Sequence, residues 1–317
     1  MYLKKIKHPE FFQGNKKSDL YFEGWYYKLV TSDLKTSIAL IPGISIQKKD
    51  PHAFIQVFIS SDHDFKTHYF RFSSDDFVYS HDKFSVSIKE NSFTREQVDI
   101  QLSNSQMKLS GTISLKNHRT LNKNFYQPNI MGPFAYIPFM ECNHGVISMQ
   151  SEITGQLTYY DEIIDFSNGK AYIEKDWGKS FPSAYIWLQS NHFSHKQTSF
   201  MFSYATIPFI GLKFNGLIVN LLIDHKEYRF ATYNFTKIVS KNISHNEIEF
   251  LLKKGKYKLL VYAKKDKDIE LKSPSLGMMI HTIKEGLSGI IRLKLYLKNN
   301  LIYEDEGQNA GIEIMMK

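Results

Sequence analysis

Short runs of alternating apolar and polar residues, cut by turn-forming clusters at close intervals, commit this chain to antiparallel β-structure. In the first third the runs cover residues 21–30, 36–46, 53–59, 67–72, 84–88, 98–102 and 108–115, with Ser, Asp, Asn and Gly between them. Period-two alternation turns one set of side chains toward a core and the other away from it. Even spacing of such runs is the pattern of a barrel or sandwich. The 24 Phe and 19 Tyr strengthen the strand reading, because aromatic and β-branched side chains pack well on a pleated surface. Gly24-Trp25 opens the first strong strand, the glycine letting the chain bend and the indole plugging an end.

Residues 116–138 break the rhythm with Asn117, Asn122, Asn124, Pro128, Asn129, Gly132, Pro133 and Pro138, and read as a connection between domains. Phe125, Tyr126, Phe134 and Tyr136 indicate that this connection packs against something. Strand patterns then resume at 140–149, 153–160, 171–177, 184–193, 199–206, 217–223, 227–231, 247–253, 257–263 and 290–297. A single helix is expected over 275–287, where Leu276, Met279, Ile280, Ile283 and Leu287 follow a helical stripe behind Ser-Pro-Ser. The expected organisation is all-β, with an N-terminal β domain over 1–130 and a C-terminal one over 131–317.

The formal charge of +8 comes chiefly from lysines, and the few arginines argue for a solvated surface over a nucleic-acid groove. The lysines also permit peripheral contact with an anionic membrane. One cysteine, Cys142, rules out an internal disulfide framework and fits a reducing compartment. The basic N-terminus has no apolar stretch behind it, so a cytoplasmic location is expected. No P-loop, dinucleotide fingerprint, nucleophile elbow or His-Glu-x-x-His occurs. His63-Asp64 with His68, and His192 with His195, lack a third metal ligand, so no metal is expected.

Chemistry concentrates in four segments. In residues 171–182, Tyr172, Glu174 and Asp176 share one side of an extended strand, while Ile173, Lys175 and Trp177 share the other. The two carboxylates would stand roughly 7 Å apart, close enough on a dry face for each to raise the other's pKa. The alternative is a structural strand whose acids pair with surface lysines. Glu23, Trp25 and Tyr27 line one face of a second segment, Cys142 and His144 oppose Glu141 and Asn143 in a third, and Trp187, Gln189 and Asn191 line one side of a fourth. Cys142 and His144 could form a thiolate–imidazole pair or be a small thiol beside a hydrogen-bonded histidine; the lack of a nucleophile turn favours the second.

Three of these segments, read with the C-terminal Asn309-Ala310-Gly311-Ile312-Glu313, resemble the tocopherol cyclase family. They are Tyr21-Phe22-Glu23-Gly24-Trp25-Tyr26-Tyr27-Lys28, Pro138-Phe139-Met140-Glu141-Cys142-Asn143-His144-Gly145 and Tyr172-Ile173-Glu174-Lys175-Asp176-Trp177-Gly178-Lys179. The resemblance implies two lipocalin-like β-barrel or sandwich domains, a kinship with carotenoid hydratases, and cofactor-free acid chemistry on a prenylated quinol, isoprenoid or other lipid. Such chemistry needs an enclosed acid to protonate an alkene, aromatic faces beside the developing cation and a base for the hydroxyl proton. On that basis Asp176 is the expected acid, with Glu174 tuning it and His144 as base or hydrogen-bond partner. Trp25, Trp177 and Trp187 are the expected aromatic faces, and Glu23, Glu141, Gln189 and Asn191 complete the substrate pocket. Trp177 would need a bend at Gly178 to reach the side of Asp176. The competing expectation is a non-catalytic carrier of an apolar ligand.

Overall fold

The computed structural model describes residues 2–62, 64–209 and 211–316. His63, one of the weak metal candidates, lies outside the described residues; His68 instead meets the Asn104 amide at 2.7 Å. Two antiparallel sheets account for nearly all regular structure, and little helix accompanies them.

Chain contacts divide the protein into two compact units, one of residues 1–181 and 271–282, the other of residues 182–270 and 283–317. A border near residue 130 was expected from the broken rhythm of 116–138. That segment lies inside the first unit, because the strands following it add to the first sheet. Cys142–Tyr159 pairs with Lys108–Arg119, and Gly169–Gly178 inserts between Cys142–Tyr159 and Tyr21–Val30. The irregular segment is tied to this unit, Asn129 donating to the Ile6 carbonyl at 3.0 Å and Lys123 to the Lys7 carbonyl at 2.7 Å, but Phe125 and Tyr126, expected to pack, are 73% and 75% exposed.

In spatial order the first sheet runs Phe65–Ser73, His52–Ser60, Ser37–Ile46, Tyr21–Val30, Gly169–Gly178, Cys142–Tyr159, Lys108–Arg119, Gln97–Ser103, Asn91–Thr94, Ser85–Ile88 and Phe77–Tyr79. Its central strands are buried on both faces, so they read as continuous apolar runs, while Gln97–Ser103 keeps the one-in, one-out alternation. Trp25, Tyr27, Leu40, Ile55, Phe93 and Ile173 belong to the core this sheet encloses.

The second sheet runs Lys226–Ala231, Leu212–Ile223, Thr198–Phe209, Tyr185–Ser190, Asn300–Met315, Met278–Leu297, Tyr257–Lys264, Glu247–Lys254 and Lys237–Ile243. Its core gathers Ile186, Leu188, Phe202, Val219, Phe250, Leu293 and Ile312. The helix expected over 275–287 is absent, and Met278–Leu297 is a strand. Met279, Ile283 and Leu287 are four residues apart, a spacing that suits a helix and is also a multiple of two. Ile280, which a helix would bury, is 63% exposed, whereas Glu285, Gly289, Ile291 and Leu293 continue the buried odd-numbered row. A short helix, Tyr2–Lys7, had no expectation attached to it.

Candidate active site

Three strands bring the acid pair into register with a histidine. His144 lies directly across from Asp176 and Val146 across from Glu174, while Gly24 and Tyr26 face the same two acids from the other neighbouring strand. Just past the site, the pairing shifts by one residue between Val146 and Ser148, a bulge of the kind that redirects side chains near functional sites.

The His144 ring lies between the two carboxylates. Its Nδ1 meets Asp176 Oδ1 at 2.9 Å, and its Nε2 approaches Glu174 Oε2 at 3.5 Å. That second distance is too long for a hydrogen bond, and Nε2 is buried with no hydrogen-bond partner among the described residues. Tyr172, two residues before Glu174 on the same face, donates its hydroxyl to Glu174 Oε2 at 2.5 Å. Exposure is graded along the cluster: the Glu174 side chain is 6% exposed, His144 15% and Asp176 25%. The acid nearest solvent therefore holds one ring nitrogen while the deeper acid faces the other.

Burial alone would push the imidazole toward its neutral form. The Asp176 and Glu174 carboxylates outweigh it and raise the His144 pKa to about 9, so the ring is an imidazolium at neutral pH. Burial and the Glu174 charge push the Tyr172 hydroxyl well above the usual phenol range, which keeps it a donor. Burial, with Asp176 and Glu141 nearby, likewise pushes the Cys142 thiol up, and no thiolate–imidazole pair forms. Ligand atoms of His144, Glu174 and Asp176 lie within 4.8 Å of one another, a spacing a divalent cation would accept. A cation there would compete with the ring proton, so its binding would strengthen as pH rises.

The opposite face of the same strand carries a different cluster. Lys175 is fully buried and ion-paired with Glu23, with Trp25 and Trp177 ring centroids at 4.6 and 4.9 Å from its ammonium. It also donates to the carbonyls of Pro9 and Phe11 at 2.8 and 2.6 Å. Glu23 accepts from the backbone of Gln13 and Gly14 and from the Tyr21 hydroxyl, and Trp25 Nε1 donates to the Glu10 carbonyl. These groups fasten residues 9–14 across the sheet. Pro9 packs so tightly on Gly145 that a Cβ there would lie 2.4 Å from it. Gly178 does take a conformation that favours glycine, φ 151°, yet Trp177 stays on the Lys175 side. Glu23, Trp25 and Trp177 are thus not brought to His144.

Residues 119–315, more than half of the chain, match the family described as tocopherol cyclase-like. The chain belongs to that family. Over 68 residues it is 34% identical to the "Probable tocopherol cyclase, chloroplastic" of Oryza sativa subsp. japonica and 38% identical to the "Tocopherol cyclase, chloroplastic" of Zea mays. Those stretches cover 22% and 21% of this chain and 14% of each relative's length. Solved structures extend the likeness across nearly the whole fold. CghA superposes with a TM-score of 0.57 at 8% identity, covering 94% of this chain and 88% of CghA. An AttH-type protein from Nitrosomonas europaea gives 0.54 at 12% identity, covering 93% and 92%. Kievitone hydratase from Nectria haematococca gives 0.52 at 11%, covering 93% and 89%. At these identities the structures establish the lipocalin-like fold alone.

Within this family member the remaining candidates separate by unit. Glu141 is half-buried in the first unit, where its carbonyl accepts from Lys179 and Ser180. Trp187 and Gln189 lie on Tyr185–Ser190 in the second unit, with Asn191 just beyond, all buried. Trp187 pairs in register with Glu313, whose carboxylate accepts the Tyr185 hydroxyl, and Glu285 flanks Glu313 from the next strand. Sequence reasoning assigned no role to Tyr172, Tyr185, Glu285 or Glu313. The signal for Tyr172 and Tyr185 was a buried tyrosine hydroxyl with a carboxylate on its own side of the sheet; for Tyr172 the Tyr-x-Glu spacing displays it.

Proposed function

We propose that the protein is a cyclase- or hydratase-type enzyme that adds an O–H bond across the double bond of a prenyl chain, on a quinol or another isoprenoid lipid. His144 donates the proton, Asp176 holds the ring and Glu174 receives the hydroxyl proton. The observation that supports this most is His144 Nε2, a buried N–H on a charged ring with nothing to donate to. The sequence alone favoured Asp176 as the proton carrier; the raised proton affinity of His144 favours the ring.

The reaction balances without a co-reactant. The alkene π pair takes the Nε2 proton onto one carbon while the hydroxyl oxygen bonds to the other. The oxygen's own proton passes to Glu174, 3.5 Å from Nε2, and returns to the ring. Through the cycle Nδ1 keeps its proton on Asp176, which fixes ring orientation and tautomer. Bond formation concerted with proton transfer spares the weakly acidic imidazolium from having to generate a free cation. Tyr26 and Tyr172 supply aromatic surface on that face for whatever positive charge develops. Water in place of an internal hydroxyl would give hydration by the same steps.

The test is incubation with a prenylated hydroquinone, followed by chromatography and mass spectrometry. Cyclisation leaves the mass unchanged while consuming the alkene, and hydration adds the mass of water. His144→Gln and Glu174→Gln are each expected to slow turnover by about 10²- to 10⁴-fold, the usual worth of a positioned acid or base. Full activity in His144→Gln sinks the assigned role, and no turnover of any prenyl alkene by the wild-type protein sinks the function.

A further inference from the structure

Beyond the His144 cluster, the first unit holds a cavity of about 550 Å³, within the range of small-molecule pockets. Its walls separate by chemistry. Ile6, Met131, Ile137, Met140 and the Trp177 ring give it an apolar interior, while Lys16, Lys17 and Lys179 stand exposed among the residues that line it. Asp19 is the one acid among the lining residues. Its carboxylate already accepts from the backbone of Leu20 and Lys48 and lies 3.9 Å from the Lys48 ammonium. The lining therefore carries uncompensated positive charge next to an apolar interior. Lys5, a further lining residue, is occupied by the Phe12 carbonyl and Asn15, so it supports the wall instead of reaching for a ligand.

This space is separate from the candidate active site, although the two share strands. Asn143 and Trp177 line the cavity; His144 and Asp176, one residue further on and one residue back, face the other side of the sheet. We infer that the cavity is a second binding site, for a single-chain anionic amphiphile whose alkyl chain enters the apolar interior and whose carboxylate or phosphate head rests on Lys16, Lys17 and Lys179. The polar lining groups of Gln13, Asn15, Asn129 and Asn143 already bond within the protein, so the wall favours an alkyl chain over a sugar or nucleotide, and the lysines favour an anionic lipid over a neutral one. The inference does not depend on the proposed reaction.

Oleate, kept below its micelle concentration, is a suitable probe for calorimetric titration of the full chain, with methyl oleate as the uncharged comparator. One equivalent of oleate is expected to bind saturably, and the ester at least about tenfold more weakly. Exchanging the three exposed lysines together (Lys16→Gln, Lys17→Gln, Lys179→Gln) is expected to weaken oleate about tenfold, and raised salt to act in the same direction. Ala135→Trp, which fills the cavity, is expected to abolish binding. The lysine variant changes only exposed side chains, so its result stands even if Ala135→Trp misfolds. Absence of saturable binding, equal binding of oleate and its ester, or oleate binding unchanged by the lysine exchange each overturns the assignment.

Discussion

Two Tyr-x-Glu pairs occupy neighbouring strands of the first sheet, and their fates differ. On Tyr21–Val30, Tyr21 donates to Glu23; on Gly169–Gly178, Tyr172 donates to Glu174, each at 2.5 Å. Both carboxylates are buried, and each faces a cation. Glu23 meets a lysine, the Tyr21 hydroxyl and two backbone amides, and each of these donors has its acceptor inside the cluster. Glu174 faces an imidazolium that stops short of a hydrogen bond, in a cluster whose outer member, Asp176, reaches solvent. Burial of charge is common to both, so it does not mark a site. What separates them is an N–H left with nothing to donate to, which a fold tolerates at a cost and a substrate can use.

The comparison is tested most severely by removing each cation. Lys175→Met strands Glu23 in a dry core and is expected to destabilise the protein by about 3–5 kcal/mol in a denaturant titration. The double variant with Glu23→Gln should recover part of that loss, because the uncompensated charge is gone. If Lys175→Met unfolds at the wild-type denaturant concentration, the fastening role of this face is wrong.

Stability against pH distinguishes the faces by sign. The folded-state pKa of His144, about 9, lies above the value of about 6.5 for an unfolded histidine. Its contribution is complete below pH ~6.5 and is lost as pH rises toward 9, a decline of about 3 kcal/mol. Lys175 behaves oppositely: burial holds its pKa down, to about 8, with Glu23 and the two indole faces working against that shift. The unfolded chain then binds the extra proton between that value and the ordinary lysine range, so stability recovers over this higher window. Wild-type protein should lose stability from about pH 6.5 and regain some in the most alkaline range. His144→Gln should remove the decline and leave the recovery; a decline unchanged in that variant contradicts the imidazolium assignment.

The strand positions of the first unit were largely readable because turn residues punctuate period-two runs, as residues 21–30 and 98–102 show. The acid face was readable for the same reason, since Tyr172, Glu174 and Asp176 alternate along one strand. Their histidine was named without its geometry. His144 pairs with Asp176 across 32 positions, and that register depends on a neighbouring bulge that no local pattern announces. Residues 275–287 were misread as helix because spacing by four satisfies both periods, whereas 290–297 was read as the strand it is. Trp25 and Trp177 were grouped with the acids because a tryptophan beside acids suggests a shared site; the structure sets both indoles over the buried Lys175 on the opposite face, where Trp177 also lines the second cavity.

The mildest test compares the two tyrosines. Removing either hydroxyl deletes one hydrogen bond to a buried carboxylate, worth about 1.5 kcal/mol. In Tyr21→Phe that loss should appear wholly as reduced stability, since Glu23 retains Lys175 and the amides of Gln13 and Gly14 on the face opposite His144. In Tyr172→Phe the freed carboxylate oxygen gains basicity and can draw closer to the His144 ring. The resulting tighter ion pair should hold the proton more firmly, moving the alkaline limb of the pH–rate profile to higher pH while lowering turnover several-fold. Stability readings alone would not tell the variants apart. A pH–rate profile shifted in Tyr172→Phe and unmoved in Tyr21→Phe assigns one pair to catalysis and the other to the fold, whereas identical profiles make both structural.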